Sequence, residues 1–286
     1  MEEEFMTSNA HGLVVGFIGL GDQGLPMATA IGEAGFAVHT WARRPTSLEV
    51  AEVAAFTVAP SVEVLARAAD VVALCVSTDE AVLALAEQIF PVMRPGGVLV
   101  NHGTGTPETA RRLARRGAGH GVAVLDAPVS GGRPGAKART LVTLVGGDVA
   151  VLDRVRPVFE SFSAHVLHLG PAGSGQQAKL FNNALMLLNQ NAIADVLALA
   201  AGTGANVPAV VDALRLGSAG SRALELVGTM IRPDTAEHLA EVGVLDMELF
   251  DQALRADGVD TEILDRVVAL GTDGARRAPA TSRLLP

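Results

Sequence analysis

A lysine and an asparagine stand on one face of what the sequence predicts to be an apolar helix. Lys179 and Asn183 are four residues apart, in a segment that opens with three glycines within residues 170–175. Residues at i and i+4 share a helix face, so both side chains are expected to point at one spot. An ammonium group on an otherwise apolar helix is costly unless it meets an anion or a reactive group. The pair is therefore a candidate for proton transfer to or from a bound molecule.

A glycine-rich turn near the start of the chain predicts a dinucleotide site. It has the form G-x-G-x-x-G and lies between a short apolar run and a helical pattern. The first glycine permits the turn, the second lets the backbone approach a pyrophosphate, and the third lets helix and strand pack closely. The helix N-terminus then favours the pyrophosphate anion. An alternative is a flavodoxin-like turn without a ligand. The predicted cofactor-binding residues are Gly19, Leu20, Gly21, Asp22, Gln23 and Gly24.

The residues after the second predicted strand indicate which dinucleotide binds. Proteins that bind NAD place an acidic residue roughly 20 positions after the glycines, where it holds the ribose hydroxyls. Here the corresponding residues are Arg43 and Arg44, and no carboxylate is present. Guanidinium groups suit a 2′-phosphate through charge-assisted hydrogen bonds. The sequence therefore favours NADP over NAD. The alternative is an exposed loop in which one or both arginines are simply solvated.

Two further predicted strand ends supply candidates for the cofactor site. Ligands of open α/β sheets bind beyond the carboxyl ends of the strands, so the backbone of Val76 and Ser77 is expected to line the cofactor crevice. Thr104 follows another strand and is expected to reach the nicotinamide ribose or the substrate. His102 is a candidate acid in the same segment, although a histidine beside a glycine loop is more often a structural partner.

Strand and helix patterns alternate through the first 170 residues. This alternation is typical of a doubly wound α/β domain with a mainly parallel sheet. Apolar runs predict strands at 13–18, 36–41, 71–76, 98–101, 122–126 and 141–145. After about Leu169 only helical patterns remain, at 175–201, 207–216, 221–227, 236–256 and 261–270. We predict a Rossmann-type NADP-binding domain over 12–172 and an all-α substrate-binding and oligomerisation domain over 173–286, with a poorly ordered tail from Ala275.

Composition narrows the classes of protein further. The chain has 286 residues, of which 49% are hydrophobic, so it has room for two domains with buried cores. Its net charge of −9 argues against nucleic acid or an anionic membrane as a partner. Cys75 lies in an apolar run and is expected to be an inert core residue, and no metal-binding spacing stands out. The start lacks the pattern of a signal peptide, so we expect a soluble cytoplasmic protein.

Three motifs, in order along the chain, resemble those of the β-hydroxyacid dehydrogenases. This family includes 3-hydroxyisobutyrate dehydrogenase and the glyoxylate/succinic semialdehyde reductases. The motifs are GFIGLGDQGLPMA at 16–28, DAPVSGG at 126–132 and GPAGSGQQAKLFNN at 170–183. Together with the order of the domains, the similarity spans about residues 12–275. Three motifs in register are far more specific than the glycine fingerprint alone.

The resemblance implies a role for each candidate residue. Lys179 would donate a proton to a carbonyl oxygen as hydride arrives from NADPH, or accept a proton in the opposite direction. An amine can do this near neutral pH where its surroundings lower its pKa. Asn183 would orient the lysine or hold the substrate. A substrate carboxylate would bind a turn that, judged on turn chemistry alone, is equally well an ordinary Pro/Gly loop. That turn consists of Ser130, Gly131 and Gly132.

The implied reaction is hydride transfer between NADP and a β-hydroxyacid, or a related alcohol or semialdehyde, in the cleft between the domains. One position departs from the family pattern. Many members carry a second lysine in a Lys-Asp pair, whose counterpart here is Leu245-Asp246. Leucine cannot bind a carboxylate, so a bulkier or less acidic substrate stays open.

Two other functions are alternatives. An imine reductase of the same architecture usually has Asp or Tyr at the position of Lys179, so the lysine weighs against it. A non-catalytic dinucleotide-binding scaffold is disfavoured because Lys179 and Asn183 are both present.

The helical half also predicts self-association. The segments 175–201 and 207–216 are apolar on nearly all sides, and one small helical domain would not cover both. The resemblance implies a dimer or tetramer, so we expect a homo-oligomer that acts on a small carboxylate-bearing molecule.

Overall fold

Short apolar strands form the parallel part of one sheet. The computed structural model describes residues 12–43 and 56–284. The parallel strands are β1 (Val14–Ile18), β2 (Ala37–Trp41), β3 (Thr57–Val58), β4 (Val71–Leu74), β5 (Val98–Asn101) and β6 (Ala123–Asp126). Their order in the sheet is β3-β2-β1-β4-β5-β6, with every neighbouring pair parallel. This is the strand order of a dinucleotide-binding Rossmann sheet.

The carboxyl ends of the central strands lie in one row. Ile18 is opposite both Trp41 and Leu74. Leu74 is in turn opposite Asn101, and Asn101 is opposite Asp126. The segments that follow these five residues therefore all leave the sheet at the same edge, where the order reverses between β1 and β4. Ligands of open α/β sheets bind at such an edge.

Three more strands extend the sheet beyond β6. They are β7 (Val129–Ser130), β8 (Leu141–Gly146) and β9 (Ser163–Gly170). Strand β8 is antiparallel to β6 and β7 and parallel to β9. The six predicted strands are confirmed, whereas β3, β7 and β9 were not predicted. Two of these have only two residues, and most side chains of β9 are exposed, so it lacks an apolar pattern.

Helices cover both faces of this sheet. They are α1 (Gly24–Glu33), α2 (Val62–Ala68), α3 (Asp79–Ile89), α4 (Pro107–Ala118), α5 (Gly132–Ala138) and α6 (Val149–Glu160). One core cluster contains Phe17, Ile31 and Phe159, and the other contains Ile18, Leu65 and Ile89. Neighbouring residues of β1 thus enter opposite cores, which explains why the strand is apolar throughout rather than alternating.

Side-chain caps fix where most of these helices begin. An oxygen of the residue before each helix accepts a hydrogen bond from a backbone N–H of the first turn. The caps of α2, α3, α4 and α6 are Ser61, Thr78, Thr106 and Asp148.

The remaining helices form the predicted all-α part. The chain divides into two compact units between Lys179 and Leu180. Helix α7 (Ser174–Gly202) begins in the first unit and continues into the second. The later helices are α8 (Val207–Leu216), α9 (Arg222–Leu226), α10 (Ala236–Ala256), α11 (Glu262–Arg276) and α12 (Ala278–Ser282).

The expectation of a poorly ordered tail from Ala275 is wrong. Helix α11 extends to Arg276, six residues beyond its predicted end, and α12 follows it. Ala275, Ala278 and Ser282 are buried. The small and polar residues of this segment hid the pattern, because alanine and serine side chains carry little hydrophobic signal.

Helix α7 is long and apolar enough, by length and composition alone, to cross a membrane. Its residues also contribute to two core clusters of the second unit. Leu180 and Leu187 pack in one with Met247 and Phe250, and Leu197 packs in the other. Only 33% of its most apolar 18-residue stretch is buried, so much of the apolar surface of this helix is exposed in a single chain.

Candidate active site

The three glycines of the turn after β1 have different surroundings. Gly19 has φ of +105°, and a Cβ there would lie 2.2 Å from the carbonyl oxygen of Cys75. A Cβ on Gly24 would lie 1.8 Å from the carbonyl oxygen of Gly19, so helix and turn touch there. A Cβ on Gly21 would meet nothing within 4 Å. Two glycines are thus needed by the fold, and Gly21 is the one that leaves open space.

The N-terminus of α1 beside this turn is available to an anion. Its N-cap residue, Gln23, makes no side-chain capping bond, and the first turn contains no acidic residue. In this respect α1 resembles α5, whose N-cap is a glycine, and differs from α2, α3, α4 and α6, which have capping side chains. Backbone N–H groups at an uncapped N-terminus, together with the helix dipole, suit a pyrophosphate.

The other predicted cofactor residues follow neighbouring strands at the same edge. Arg43 is exposed two residues beyond β2, and Arg44 lies outside the described residues. Val76 and Ser77 follow β4, and Thr104 follows β5. The loops after β4 and β5 touch, since a Cβ on Gly103 would lie 2.4 Å from the carbonyl oxygen of Val76. The strand register therefore brings these segments to one edge of the sheet, as the sequence predicts.

A buried carboxylate holds the start of α7 at this edge. Asp126, the last residue of β6, is 2% exposed. Its Oδ1 accepts a hydrogen bond of 2.8 Å from the Gly173 N–H, and its Oδ2 accepts one of 2.9 Å from the Gln176 N–H. Burial raises the pKa of the Asp126 carboxyl, and these backbone N–H groups act in the opposite direction. The carboxylate caps the helix that carries Lys179.

Asp126 and Gln176 are functional candidates that the sequence reasoning missed. Both lie inside motifs on which the resemblance rests, DAPVSGG and GPAGSGQQAKLFNN. A carboxylate or amide with backbone partners far away in sequence leaves no signal of spacing. What the sequence did offer is that Asp126 is a polar residue at the end of an apolar strand, and that Gln176 is a polar residue beside a glycine at the start of an apolar helix.

His102 is a structural residue in this fold. It is 3% exposed, and its Nδ1 lies 2.8 Å from the carbonyl oxygen of Ala127, to which it donates as the neutral tautomer. The rings of Phe159 and Phe162 pack against it edge-on. Burial lowers the pKa of His102 to about 4, so the ring is neutral near neutral pH. This agrees with the reading of His102 as a structural partner rather than an acid.

Cys75 likewise fits its predicted inert role. Burial raises the pKa of its thiol to about 12, which keeps the thiolate out of reach near neutral pH.

The predicted carboxylate turn has more regular structure than a loop. Ser130 ends β7, opposite Val142 of β8, and Gly132 begins α5. Gly131 and Gly132 both have positive φ, +128° and +60°, which glycine adopts readily. Gly131, the N-cap of α5, makes no side-chain capping bond. The predicted role of these three residues in substrate binding stays a prediction.

Lys179 is half-buried, near the start of α7. It is one of two lysines among the 22 basic residues of the chain, and the other is Lys137. Lys137 is exposed on α5 and lines a surface cavity of about 460 Å³ along α1. The cavity shares Leu20, Gly21 and Asp22 with the glycine turn, and its other lining residues lie along α1 and along α5 and its C-cap.

In the second unit, the structure brings Asn183 together with Asp246. Asn183 is 5% exposed; its Nδ2 donates a 2.8 Å hydrogen bond to Asp246 Oδ2, and its Oδ1 accepts one of 3.0 Å from Asn182 Nδ2. Both bonds fix the orientation of its amide. Leu245, the residue that the resemblance predicts in place of a second lysine, is 57% exposed.

Models of known protein families match both parts of the chain. Residues 14–170 match the NAD-binding domain of 6-phosphogluconate dehydrogenase. Residues 173–280 match the NAD-binding domain of NADP-dependent 3-hydroxyisobutyrate dehydrogenase.

Similar proteins extend over nearly the whole length. The chain is 31% identical to an NAD-dependent L-serine dehydrogenase of Pseudomonas aeruginosa, over 86% of this chain and 87% of that protein. It is 36% identical to 2-hydroxy-3-oxopropionate reductase of Escherichia coli, over 75% of this chain and 74% of that protein. The solved structure of Mycobacterium tuberculosis 3-hydroxyisobutyrate dehydrogenase with L-serine superposes with a TM-score of 0.81 at 28% identity, covering 95% of this chain and 97% of that one.

The family models, matched by a chain with a Rossmann sheet followed by helices, place it in the class of nicotinamide-dependent oxidoreductases. Within it, the chain belongs to the β-hydroxyacid dehydrogenase family, whose members are dehydrogenases and reductases acting on CH–OH groups.

The glycine geometry predicts opposite effects of two similar substitutions. Gly21→Ala has room for its methyl group and should change the free energy of unfolding by less than about 1 kcal/mol, yet weaken NADPH binding at least tenfold, roughly, by blocking the pyrophosphate. Gly24→Ala should cost about 3 kcal/mol of stability, because its Cβ collides with backbone. Denaturant unfolding measures the free energy of unfolding of each variant, and fluorescence titration measures its affinity for NADPH. Gly202→Ala, also in open space, is the control. Unaltered NADPH affinity in Gly21→Ala would contradict the placement of the pyrophosphate.

Proposed function

We propose that the protein is an NADP-dependent oxidoreductase that interconverts a β-hydroxyacid and its aldehyde, with Lys179 as general acid and base. The observation that carries this proposal is the cap on α7. Asp126 ends the last strand of the row that carries the glycine turn, and it holds the helix on which Lys179 lies. The helix that carries the proposed proton donor, Lys179, therefore begins at the same edge of the sheet as the proposed cofactor residues. Family membership supports the reaction class.

The names of the relatives support a substrate with a carboxylate and an oxygen on its β carbon. L-serine, 3-hydroxyisobutyrate and 2-hydroxy-3-oxopropionate share this pattern. We assign the carboxylate to the backbone N–H groups and hydroxyl of Ser130, Gly131 and Gly132. Leu245, in place of a lysine, favours a substrate with no second anionic group to bind there.

The residues of this chain then have distinct tasks in the reaction. NADPH, when bound, supplies the hydride that reduces the carbonyl carbon. The Lys179 ammonium donates its proton to the carbonyl oxygen, and in the oxidative direction the neutral amine accepts the alcohol proton. Asn183, with its amide held by Asn182 and Asp246, binds the substrate oxygen or the lysine in one fixed orientation.

Replacing the lysine tests the function directly. We expect Lys179→Ala to lower kcat about 10²–10⁴-fold, since it removes a positioned proton donor, while leaving NADPH affinity nearly unchanged. The assay follows nicotinamide absorbance with glyoxylate, succinic semialdehyde, methylmalonate semialdehyde, 2-hydroxy-3-oxopropionate and a cyclic imine, and with L-serine and 3-hydroxyisobutyrate in the oxidative direction.

Lys137→Ala, which removes the other lysine, is the matched control and should keep full activity. Loss of NADPH affinity in Lys179→Ala would make the lysine structural. Turnover of the cyclic imine alone would favour an imine reductase.

The cofactor preference rests on the arginines after β2. We propose that Arg43 and Arg44 bind the 2′-phosphate; relatives and family models carry both NAD and NADP in their names. Changing both to Gln should weaken NADPH binding about 10–100-fold through lost charge-assisted hydrogen bonds, with NADH affinity unchanged. Fluorescence titration with both cofactors measures this. Arg154→Gln, at an exposed site on α6, is the control. A preference for NADPH that persists in the double variant places the phosphate elsewhere.

We further propose that the protein is a cytoplasmic homodimer or homotetramer. The exposed apolar side chains of α7 support the assembly, among them Leu185 at 60% and Leu199 at 72% exposure. Light scattering should give the mass of two or four chains, and Leu199→Glu should shift it downward because a charge replaces buried apolar contact. Val149→Glu, exposed on α6, is the control. A monomeric wild type at working concentration would refute the assembly.

A further inference from the structure

Gln176 is a buried amide with both polar ends in use. It lies in the first turn of α7 and is 1% exposed. Its Oε1 accepts a 2.9 Å hydrogen bond from the Gly105 N–H, and its Nε2 donates a 2.8 Å hydrogen bond to the Gly103 carbonyl oxygen. An N–H only donates and a carbonyl only accepts, so these two partners fix the orientation of the amide. The side chain therefore bridges two residues of the loop after β5.

Thr104 is the residue between these two partners, and the same loop also contacts Asp79. Asp79 Oδ2 accepts hydrogen bonds from the Thr106 N–H, the Thr106 hydroxyl and the Thr109 hydroxyl. A Cβ on Gly105 would lie 2.1 Å from Asp79 Oδ1, so the loop runs directly against this carboxylate. The path of the backbone at Thr104 is thus set by the contacts of the loop with both Gln176 and Asp79.

Gln176 is also fixed at its backbone. The Gln176 N–H donates to Asp126, which caps α7. Gln176 and Lys179 are three residues apart on that helix, and residues at i and i+3 are neighbours on the helix surface. A single residue therefore connects the end of β6, the helix that carries Lys179 and the loop that carries Thr104.

We propose that Gln176 is a positioning residue that sets Thr104 against Lys179, and through them the alignment of nicotinamide and substrate. This inference rests on the proposed function of Lys179 and Thr104. A neutral amide satisfies a donor and an acceptor at once in a buried site, and a side chain without both capacities leaves a loop group unpaired. A shift of the loop by about 1 Å is enough to lower turnover about 100-fold without touching the cofactor pyrophosphate site.

The first test removes both hydrogen bonds while keeping the length of the side chain. Gln176→Met should lower kcat about 10–100-fold, with the Kd of NADPH within about threefold of wild type. The Kd is measured by fluorescence titration and kcat with the substrate that the wild type turns over. Gln177→Met, at the exposed neighbouring position, is the matched control and should keep wild-type kcat.

The second test restores the bonds by protonation. A protonated carboxyl has one donor and one acceptor, so Gln176→Glu can bond both Gly103 and Gly105 at low pH. Burial raises the pKa of such an introduced carboxyl, and its ionised form repels the Gly103 carbonyl oxygen. The kcat of Gln176→Glu, divided by that of wild type at each pH, should be near one at mildly acidic pH and fall about 10–100-fold as pH rises. The ratio for Gln176→Met should be low throughout. If Gln176→Met does not fold, this profile carries the test.

Three results would overturn the proposal: wild-type kcat in Gln176→Met, a pH-independent ratio in Gln176→Glu, or a loss of NADPH affinity that matches the loss of kcat. The proposed function fails separately. If Lys179→Ala abolishes turnover and Gln176→Met retains it, only the positioning role is wrong. If Lys179→Ala keeps wild-type kcat, the proposed catalysis is wrong, and the positioning role falls with it.

Discussion

The hydrogen bonds of Asp126 to the first turn of α7 are the interaction on which the proposed site depends. A carboxylate that is 2% exposed loses most of its hydration, and the backbone N–H groups of Gly173 and Gln176 take its place. Two glycines make room for it. A Cβ on Gly146 would lie 2.6 Å from Asp126 Oδ1, and one on Gly175 would lie 2.9 Å from Oδ2. The end of a buried strand is thereby joined to the start of the long helix, and the position of Lys179 follows from that junction.

The rest of the first unit positions its loops in the same way, with buried side chains that bond backbone groups. Gln176 holds Gly103 and Gly105, and Asp79 holds Thr106. These loops follow strands whose last residues are in register, so the sheet fixes the point at which each loop begins. Loops carried by a rigid sheet can present backbone N–H groups and hydroxyls at fixed places, as binding of a dinucleotide requires.

Most of the fold could be predicted from the sequence because the patterns that indicate its strands and helices are local. Each parallel strand is buried on both faces and appears as an apolar run, and the glycine turn and the helix patterns need no distant partner. The features that could not be predicted from the sequence depend on long-range contacts or lack a hydrophobic pattern. Strand β9 is mostly exposed, and α12 is made of small residues, so neither has a hydrophobic pattern. Within the proposed site, the glycine turn and Lys179 could be predicted as candidates from local patterns. Asp126 and Gln176 bind partners about 50 and 70 residues away, and such pairings appear only in the fold.

The use of basic residues gives an independent reason for the lysine at position 179. Arginine is the cation in many ion pairs of the described residues, such as those of Arg255 with Asp251 and of Arg277 with Asp195. The chain therefore supplies positive charge with guanidinium groups and has only two lysines. A guanidinium stays protonated under all ordinary conditions and cannot give up its proton, whereas an ammonium group can. If position 179 required charge alone, arginine would serve, as it does elsewhere in this chain. A lysine there fits the proposed proton transfer, and the cap on α7 holds the start of its helix at the edge of the sheet where the predicted cofactor residues lie.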